Sequence, residues 1–272
     1  MLMARVKFGK CPSAIDTIVF DDLAHTFMAA LLRNWQILHQ YDLCWLDDQM
    51  FAYTLLPTAA PPEPQYFSEW TNQALNKLLE TGAQIPLWEL LDDRGSDELL
   101  SLDADTTFVL FTHFLDKHSP LMCLKSVTPV APYIIPKTVE VQDEFYSWTN
   151  TYRDIDSLWM SSSGALESAM YALLSNPSSE LSKQGRALCK YIESVTNRPA
   201  YYFLFTDMEK KREWKSSMRT EDNRAVEIDD LSKCPSCSES WIRQSLIEQP
   251  KFRDLFYYQC HPCRLIGNHI PG

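Results

Sequence analysis

The sequence predicts an α+β fold, a mixed sheet with packed helices, extended by a small C-terminal zinc ribbon. Three observations predict it. Over the first 206 residues, short β-prone runs alternate with apolar residues at helical spacing. A polar, highly charged stretch interrupts that pattern at 207–230. Beyond it stand two Cys-x-x-Cys pairs, Cys234-Pro-Ser-Cys237 and Cys260-His-Pro-Cys263, separated by 22 residues. The chain therefore reads as an α+β main domain (1–206), a charged linker (207–230) and a four-cysteine ribbon (231–272). With 272 residues, 45% of them hydrophobic and 22% charged, it has the length and composition to bury a sizeable core.

Residues 4–8 alternate in polarity and predict a first strand. A helix follows over Phe20–Gln40, where Leu23, Phe27, Leu31, Leu32, Trp35 and Leu38 form one face. Met50–Leu56 predicts a second strand, stopped by the prolines within 57–64. Phe67–Leu79 is helical again, with Trp70, Ala74, Leu75, Leu78 and Leu79 on one face. Gln84–Leu91 and Thr107–Phe111 are further strands, giving the order β-α-β-α-β-β with helices on one face of the sheet. From Leu121 to Ile135, Pro129 and Pro132 impose an irregular extended path. Gln142–Asn176 and Ser179–Asn197 form a helical pair, the first striped by Phe145, Trp148, Tyr152, Ile155, Leu158 and Trp159. Aromatics at that spacing are read as core, with a groove for a base or peptide as the other reading. Ala200–Phe205 is a buried strand returning to the sheet.

The net charge is −11, unevenly spread. Residues 205–272 hold 11 Lys+Arg and 11 Asp+Glu, so residues 1–204 carry the whole imbalance with 14 basic and 25 acidic side chains. Such a body repels a polyanion and suits a basic protein partner. No apolar run approaches the roughly 18 residues of a membrane span, and the start lacks an apolar signal core. The expectation is no membrane association and a cytoplasmic location, where reduced thiols favour metal ligation over disulfides. Cys11, Cys44, Cys123 and Cys189 are scattered and read as buried free thiols.

Four thiolates on two tight turns fit a tetrahedral Zn²⁺ at about 2.3 Å from each sulfur. Cys234, Cys237, Cys260 and Cys263 are thus the expected ligands. Pro235 and Pro262 stiffen the turns, and the β-prone runs at Trp241-Ile242 and 254–258 complete hairpins around them. Four protein ligands leave no open position, so the ion is structural.

At these residues the chain resembles a known family. Cys234-Pro-Ser-Cys237 with Phe256-Tyr-Tyr-Gln-Cys260-His-Pro-Cys263-Arg264 is similar to the tail of an uncharacterised bacterial family described as zinc-ribbon-containing and as a candidate nucleic-acid binder. The resemblance continues through Asn34-Trp-Gln36-Ile37, Leu110–Phe114, Ser119-Pro-Leu121-Met-Cys123, Pro129–Tyr133, the aromatic helix around Trp148, Tyr152 and Asp156, and Ile192-Glu193 with Tyr201-Tyr202. The chain departs from the family pattern where a Gly becomes Ser238, another Gly becomes Trp35, and Arg-Cys-Gly becomes Met122-Cys123-Leu124. Loss of that Arg removes a phosphate or carboxylate contact. The resemblance implies a zinc site and a nucleic-acid partner, the latter by fold-level analogy.

Candidate contacts to nucleic acid or another partner are Lys210, Lys211, Arg212 and Trp214 in the linker, and Arg243, Lys251, Arg253 and Arg264 in the ribbon. The linker set reads either as a solvated hinge or as a phosphate-tracking patch with Trp214 as a stacking platform. His113, Asp116, His118 and Cys123 read as polar residues at a strand end, or as a second metal or Cys–His site. The pairs Asp92-Asp93 and Asp97-Glu98 read as a solvated loop. The chain has only 7 glycines and none of the phosphate-loop, dinucleotide or nucleophile-elbow patterns. Two functions follow: a non-enzymatic, nucleic-acid-associated zinc-ribbon protein, or an acidic adaptor or immunity-type module for a basic partner whose zinc is purely structural.

Overall fold

The computed structural model describes residues 2–91, 106–136, 139–205, 233–243 and 256–268. The fold is α+β, in two compact units. One comprises Met1–Ser101, Lys117–Ser119 and Pro129–Tyr146; the other comprises Leu102–Asp116, Pro120–Thr128 and Ser147–Gly272. The cysteine-bearing segment is built into the second unit's sheet. The stretch 207–230 lies outside the described residues.

The first unit runs β1 (Leu2–Gly9), α1 (Thr17–Arg33), β2 (Leu38–Leu46), β3 (Gln49–Leu56), α2 (Glu69–Glu80) and β4 (Leu87–Leu90). Its strands lie in the order β2-β3-β1-β4 with every neighbouring pair antiparallel, the split β-α-β arrangement. Alternation along β1 sends Ala4, Val6 and Phe8 to the side where Phe20, Phe27 and Leu31 of α1 and Ala74 and Leu78 of α2 complete the core. The Asp16 side chain caps α1 by accepting from the Val19 N–H at 2.8 Å.

The helix expected to reach Gln40 stops at Arg33. Trp35 takes a left-handed φ of 63°, and the buried amides on either side of it are tied into the structure. Asn34 donates to Gln36 Oε1 (2.8 Å) and to the Tyr66 carbonyl (2.7 Å), and Gln36 donates to the Glu63 carbonyl (3.3 Å). That turn frees Leu38 onward to form β2, which pairs with β3 across Asp47-Asp48. Both aspartates have positive φ (49° and 57°), as a two-residue hairpin turn requires. In α2, Thr71 enters the core, while Trp70, expected on one face with Ala74 and Leu78, is 50% exposed beneath the Arg33 guanidinium.

The second unit contains β5 (Phe108–Leu110), β6 (Leu121–Cys123), β7 (Thr128–Pro129), α3 (Val139–Ser161, from Ser147 onward), α4 (Gly164–Ser175), α5 (Glu180–Thr196), β8 (Ala200–Leu204), β9 (Ile242–Arg243), β10 (Tyr258–Cys260) and β11 (Leu265–Gly267). The sheet is mixed, ordered β7-β6-β5-β8-β11-β10-β9, with β8 parallel to both β5 and β11. All five residues of β8 are buried, which explains its unbroken apolar run. The helix expected over 142–176 is two, broken at Ser162–Ser163 with Gly164 at φ 66°. Trp148 packs on Tyr202 and donates to the Leu181 carbonyl at 3.1 Å. Gly185 of α5 sits against both rings: a Cβ there would stand 2.4 Å from Tyr202 and 3.0 Å from the Trp148 indole nitrogen.

Candidate metal centre

Each cysteine pair lies on a tight turn closed by backbone hydrogen bonds. In the first, Cys234 N donates to the Glu239 carbonyl (2.7 Å) and Ser238 N to the Cys234 carbonyl (2.9 Å), with Lys233 bridging Ser240. In the second, Arg264 N donates to the His261 carbonyl at 3.2 Å. The residue after the second cysteine of each pair is left-handed: Ser238 at φ 63° and Arg264 at φ 54°. Only glycine, the residue that the resembled family pattern carries where this chain has Ser238, takes that conformation without steric cost.

The four Sγ atoms lie within 4.8 Å of one another, and Cys237 and Cys260 are separated by 3.6 Å. Four sulfurs at about 2.3 Å from one ion would form a tetrahedron with edges of about 3.8 Å. A disulfide needs about 2.05 Å, and all eight cysteines are free thiols. The donor set therefore fits one metal ion. Cys234 and Cys260 are buried, Cys263 is half-buried and Cys237 is exposed. Burial pushes the Cys234 and Cys260 thiols up, whereas the Glu239 N–H pulls Cys237 down. A bound cation would supply the charge that offsets burial of the first two as thiolates.

The surroundings fasten this centre to the sheet. β11 starts two residues after Cys263 and runs parallel to β8, pairing Leu265 with Tyr202 and Gly267 with Leu204; Tyr202 N donates to the Arg264 carbonyl at 2.9 Å. Phe256 is fully buried against Phe111 and Phe203. The Tyr201 hydroxyl hydrogen-bonds His261 Nδ1. Arg264 stacks over the Tyr201 ring and ion-pairs with Glu193 of α5, its side chain 25% exposed. Sequence reasoning did not find this Glu193–Arg264–Tyr201–His261 cluster. Its members converge only through the parallel β8–β11 pairing, which leaves no local pattern.

Of the other expected contact residues, Lys210, Lys211, Arg212, Trp214, Lys251 and Arg253 lie outside the described residues, and Arg243 lies in β9, opposite Tyr258. Asp92-Asp93 and Asp97-Glu98 are also outside them. Among the described residues, the cysteine quartet is the one place where three or more metal-binding side chains meet, so His113, Asp116, His118 and Cys123 form no second centre there. Instead, the loop after β5 is bound to α3. Asp156 accepts from Phe114 N–H (2.8 Å), and Arg153 donates to Thr112 Oγ1 (2.9 Å). Burial raises the Asp156 carboxyl above its ordinary range, and the Phe114 N–H and nearby His113 partly offset the effect. Phe145, Trp148 and Tyr152 are core residues. Cys123 and Cys189 are buried and Cys11 half-buried, but Cys44, expected inside, is exposed because its register in β2 places it on the sheet face away from the helices. No helix among the described residues is long and apolar enough to cross a membrane.

Comparison with known proteins assigns no activity. A family described as a domain of unknown function (DUF2310) matches residues 103–205, and a second such domain (DUF8594) matches residues 225–271. Two Haemophilus influenzae proteins, each described as uncharacterized, are similar along most of the chain. One is 28% identical over 75% of this chain and 72% of its own length; the other is 26% identical over 83% and 97%. No solved structure matches.

Proposed function

We propose that Cys234, Cys237, Cys260 and Cys263 hold one structural Zn²⁺ and that the protein works by association, with nucleic acid as its partner, rather than by catalysis. The observation that carries the metal assignment is the quartet of sulfurs within 4.8 Å. Thiolate donors in a tetrahedral set select zinc or an iron–sulfur cluster, and two short Cys-x-x-Cys turns closing on one point suit a single zinc ion. With four protein ligands the ion has no open position for substrate, so its role is to hold the ribbon against β8. The basic residues of the linker and ribbon, Lys210, Lys211, Arg212, Arg243, Lys251 and Arg253, with Trp214, make up the contact set. Arg264 supports the ribbon from within. A second reading is favoured by the net charge of −11: the acidic body receives a basic protein partner.

Elemental analysis of the purified protein tests the metal, with one zinc per chain expected in the native protein and less than 0.2 in Cys260→Ser. Capture of partners from native lysate, with and without nuclease, tests the association. Nucleic acid that is retained at low salt, lost steeply as salt rises and weakened by Arg253→Ala supports the first reading. A defined basic protein that survives nuclease treatment replaces it with the second.

A further inference from the structure

We propose, on the reading that the quartet holds zinc, that hydrogen peroxide drives Cys237 and Cys260 into a reversible disulfide across the two turns. The ion is discharged while the ribbon stays folded, which gives the site a regulation. Access to the four sulfurs is unequal. Cys234 is 1% and Cys260 3% exposed, and Cys263 is half-buried. Cys237, by contrast, stands on a turn whose residues from Pro235 to Ser240 are all exposed. A small oxidant arriving from water therefore meets Cys237 first. Behind it, 3.6 Å away on the other turn, lies the buried Cys260 sulfur. An accessible sulfur with a second one poised at its back is the arrangement of a redox-responsive pair. The separation is close to the roughly 3–3.5 Å of a near-attack geometry. A change of rotamer about Cα–Cβ moves either sulfur farther than the gap that remains to the about 2.05 Å of a disulfide.

The chemistry balances with the peroxide as its one co-reactant. The Cys237 thiolate attacks a peroxide oxygen: an S–O bond forms, the O–O bond breaks, and the departing hydroxide takes a proton from solvent. The Cys260 thiolate then attacks the Cys237 sulfur. The S–S bond forms as the S–O bond breaks, and the second hydroxide also takes a proton from solvent. Together the sulfurs lose two electrons, and the peroxide becomes two waters. Cys234 and Cys263 remain, one on each turn, too few donors to complete a tetrahedral site. The new bond also takes over the mechanical task of the ion. It ties the first turn to β10, where Cys260 pairs with Leu265 of β11, so the β11–β8 pairing keeps its anchor. A Cys234–Cys237 bond, confined to the first turn, would leave the second untethered. Cys44, the other exposed cysteine, belongs to the first unit, and Cys123 and Cys189 are buried.

Titration of the zinc-loaded full chain with hydrogen peroxide tests the proposal, with Cys44→Ser introduced to silence the other exposed thiol. Zinc content is measured before and after. One zinc released for each disulfide formed is expected, with a Cys237–Cys260 link in peptide mapping by mass spectrometry. A dithiol with added zinc should restore the bound ion in full. Hydrogen exchange separates oxidation from chelation. The Tyr202 N–H, held by the Arg264 carbonyl, is expected to stay protected in the oxidised protein and to lose protection in the chelated one. Cys263→Ser keeps both reacting sulfurs and is expected to form the same link even if it holds zinc weakly. A quartet that stays reduced with zinc bound overturns the proposal and leaves the zinc assignment standing. So does oxidation that halts at Cys237 or joins it to Cys234. A chain that takes up no zinc at all overturns the metal assignment, and the switch with it.

Discussion

Ser238 holds a backbone conformation that costs a side-chain-bearing residue about 1–2 kcal/mol, and it does so beside Cys237 of the quartet. Ser238→Gly removes that cost, offset in part by the greater freedom of glycine in the unfolded chain. The zinc-loaded variant is expected to be more stable by about 0.5–1 kcal/mol, a gain of about 1–4 °C in thermal denaturation. Asp156 offers a second single-residue test, in which pH is the variable. Its carboxyl is raised in the folded protein, so folding favours the protonated form. Its contribution to stability is present in full below the ordinary aspartate range and is lost as pH rises through the raised folded value. Asparagine keeps an acceptor for Phe114 N–H and removes the titration. Relative to Asp156→Asn, the wild-type melting temperature is therefore expected to fall as pH rises from 4 to 7. Parallel curves for the two proteins would refute this account. Taking the difference between variants cancels any effect of metal loss at low pH.

Helix α5 shows how an element's composition answers to what it packs against. Helical propensity alone predicts that Gly185→Ala stabilises the helix by about 1 kcal/mol. The structure predicts the reverse. The added methyl meets the buried Tyr202 and Trp148 rings, and overpacking of this kind costs about 1–3 kcal/mol. Chemical denaturation should show a lower midpoint with an unchanged slope. The buried strand β8 and helix α5 were legible in the sequence because an unbroken apolar run and a strong apolar stripe are local signals. So was the cysteine quartet, whose spacing is itself the pattern. The end of α1 was not legible: Leu31, Trp35 and Leu38 keep helical spacing, and only the distant carbonyls of Glu63 and Tyr66 show why the chain turns at Asn34. Strand β2 begins inside that expected helix, at Leu38–Gln40, and continues through residues 41–46, to which the sequence reading assigned no element. Its signal was the Asp47-Asp48 pair, a hairpin turn that the surrounding apolar residues obscured. The existence of two sheets rather than one was equally inaccessible, since strand pairing depends on contacts far apart in sequence.

At the scale of the whole molecule, the cysteine quartet and the second unit's sheet are joined by backbone pairing, so under the proposed zinc assignment they act as one mechanical system. Chelation of the ion leaves Cys234 and Cys260 as buried thiols without a shared partner and loosens the turn that delivers β11 to β8. Hydrogen exchange after chelation should therefore lose protection at Tyr202, whose N–H is held by the Arg264 carbonyl, and along β10 and β11. The strands of the first unit, which pair only among themselves, should keep theirs. The parallel pairing also has a consequence in time. β8 is synthesised roughly 60 residues before the strand that covers its edge, an interval on the order of 3–12 s at 5–20 residues per second. Through that interval the nascent chain carries an apolar strand with one side unpaired, the state most exposed to mispairing with a neighbour. Under the proposed zinc assignment, capture of the ion by the last cysteine pair ends it, making the availability of the ion a determinant of folding yield as well as of final stability.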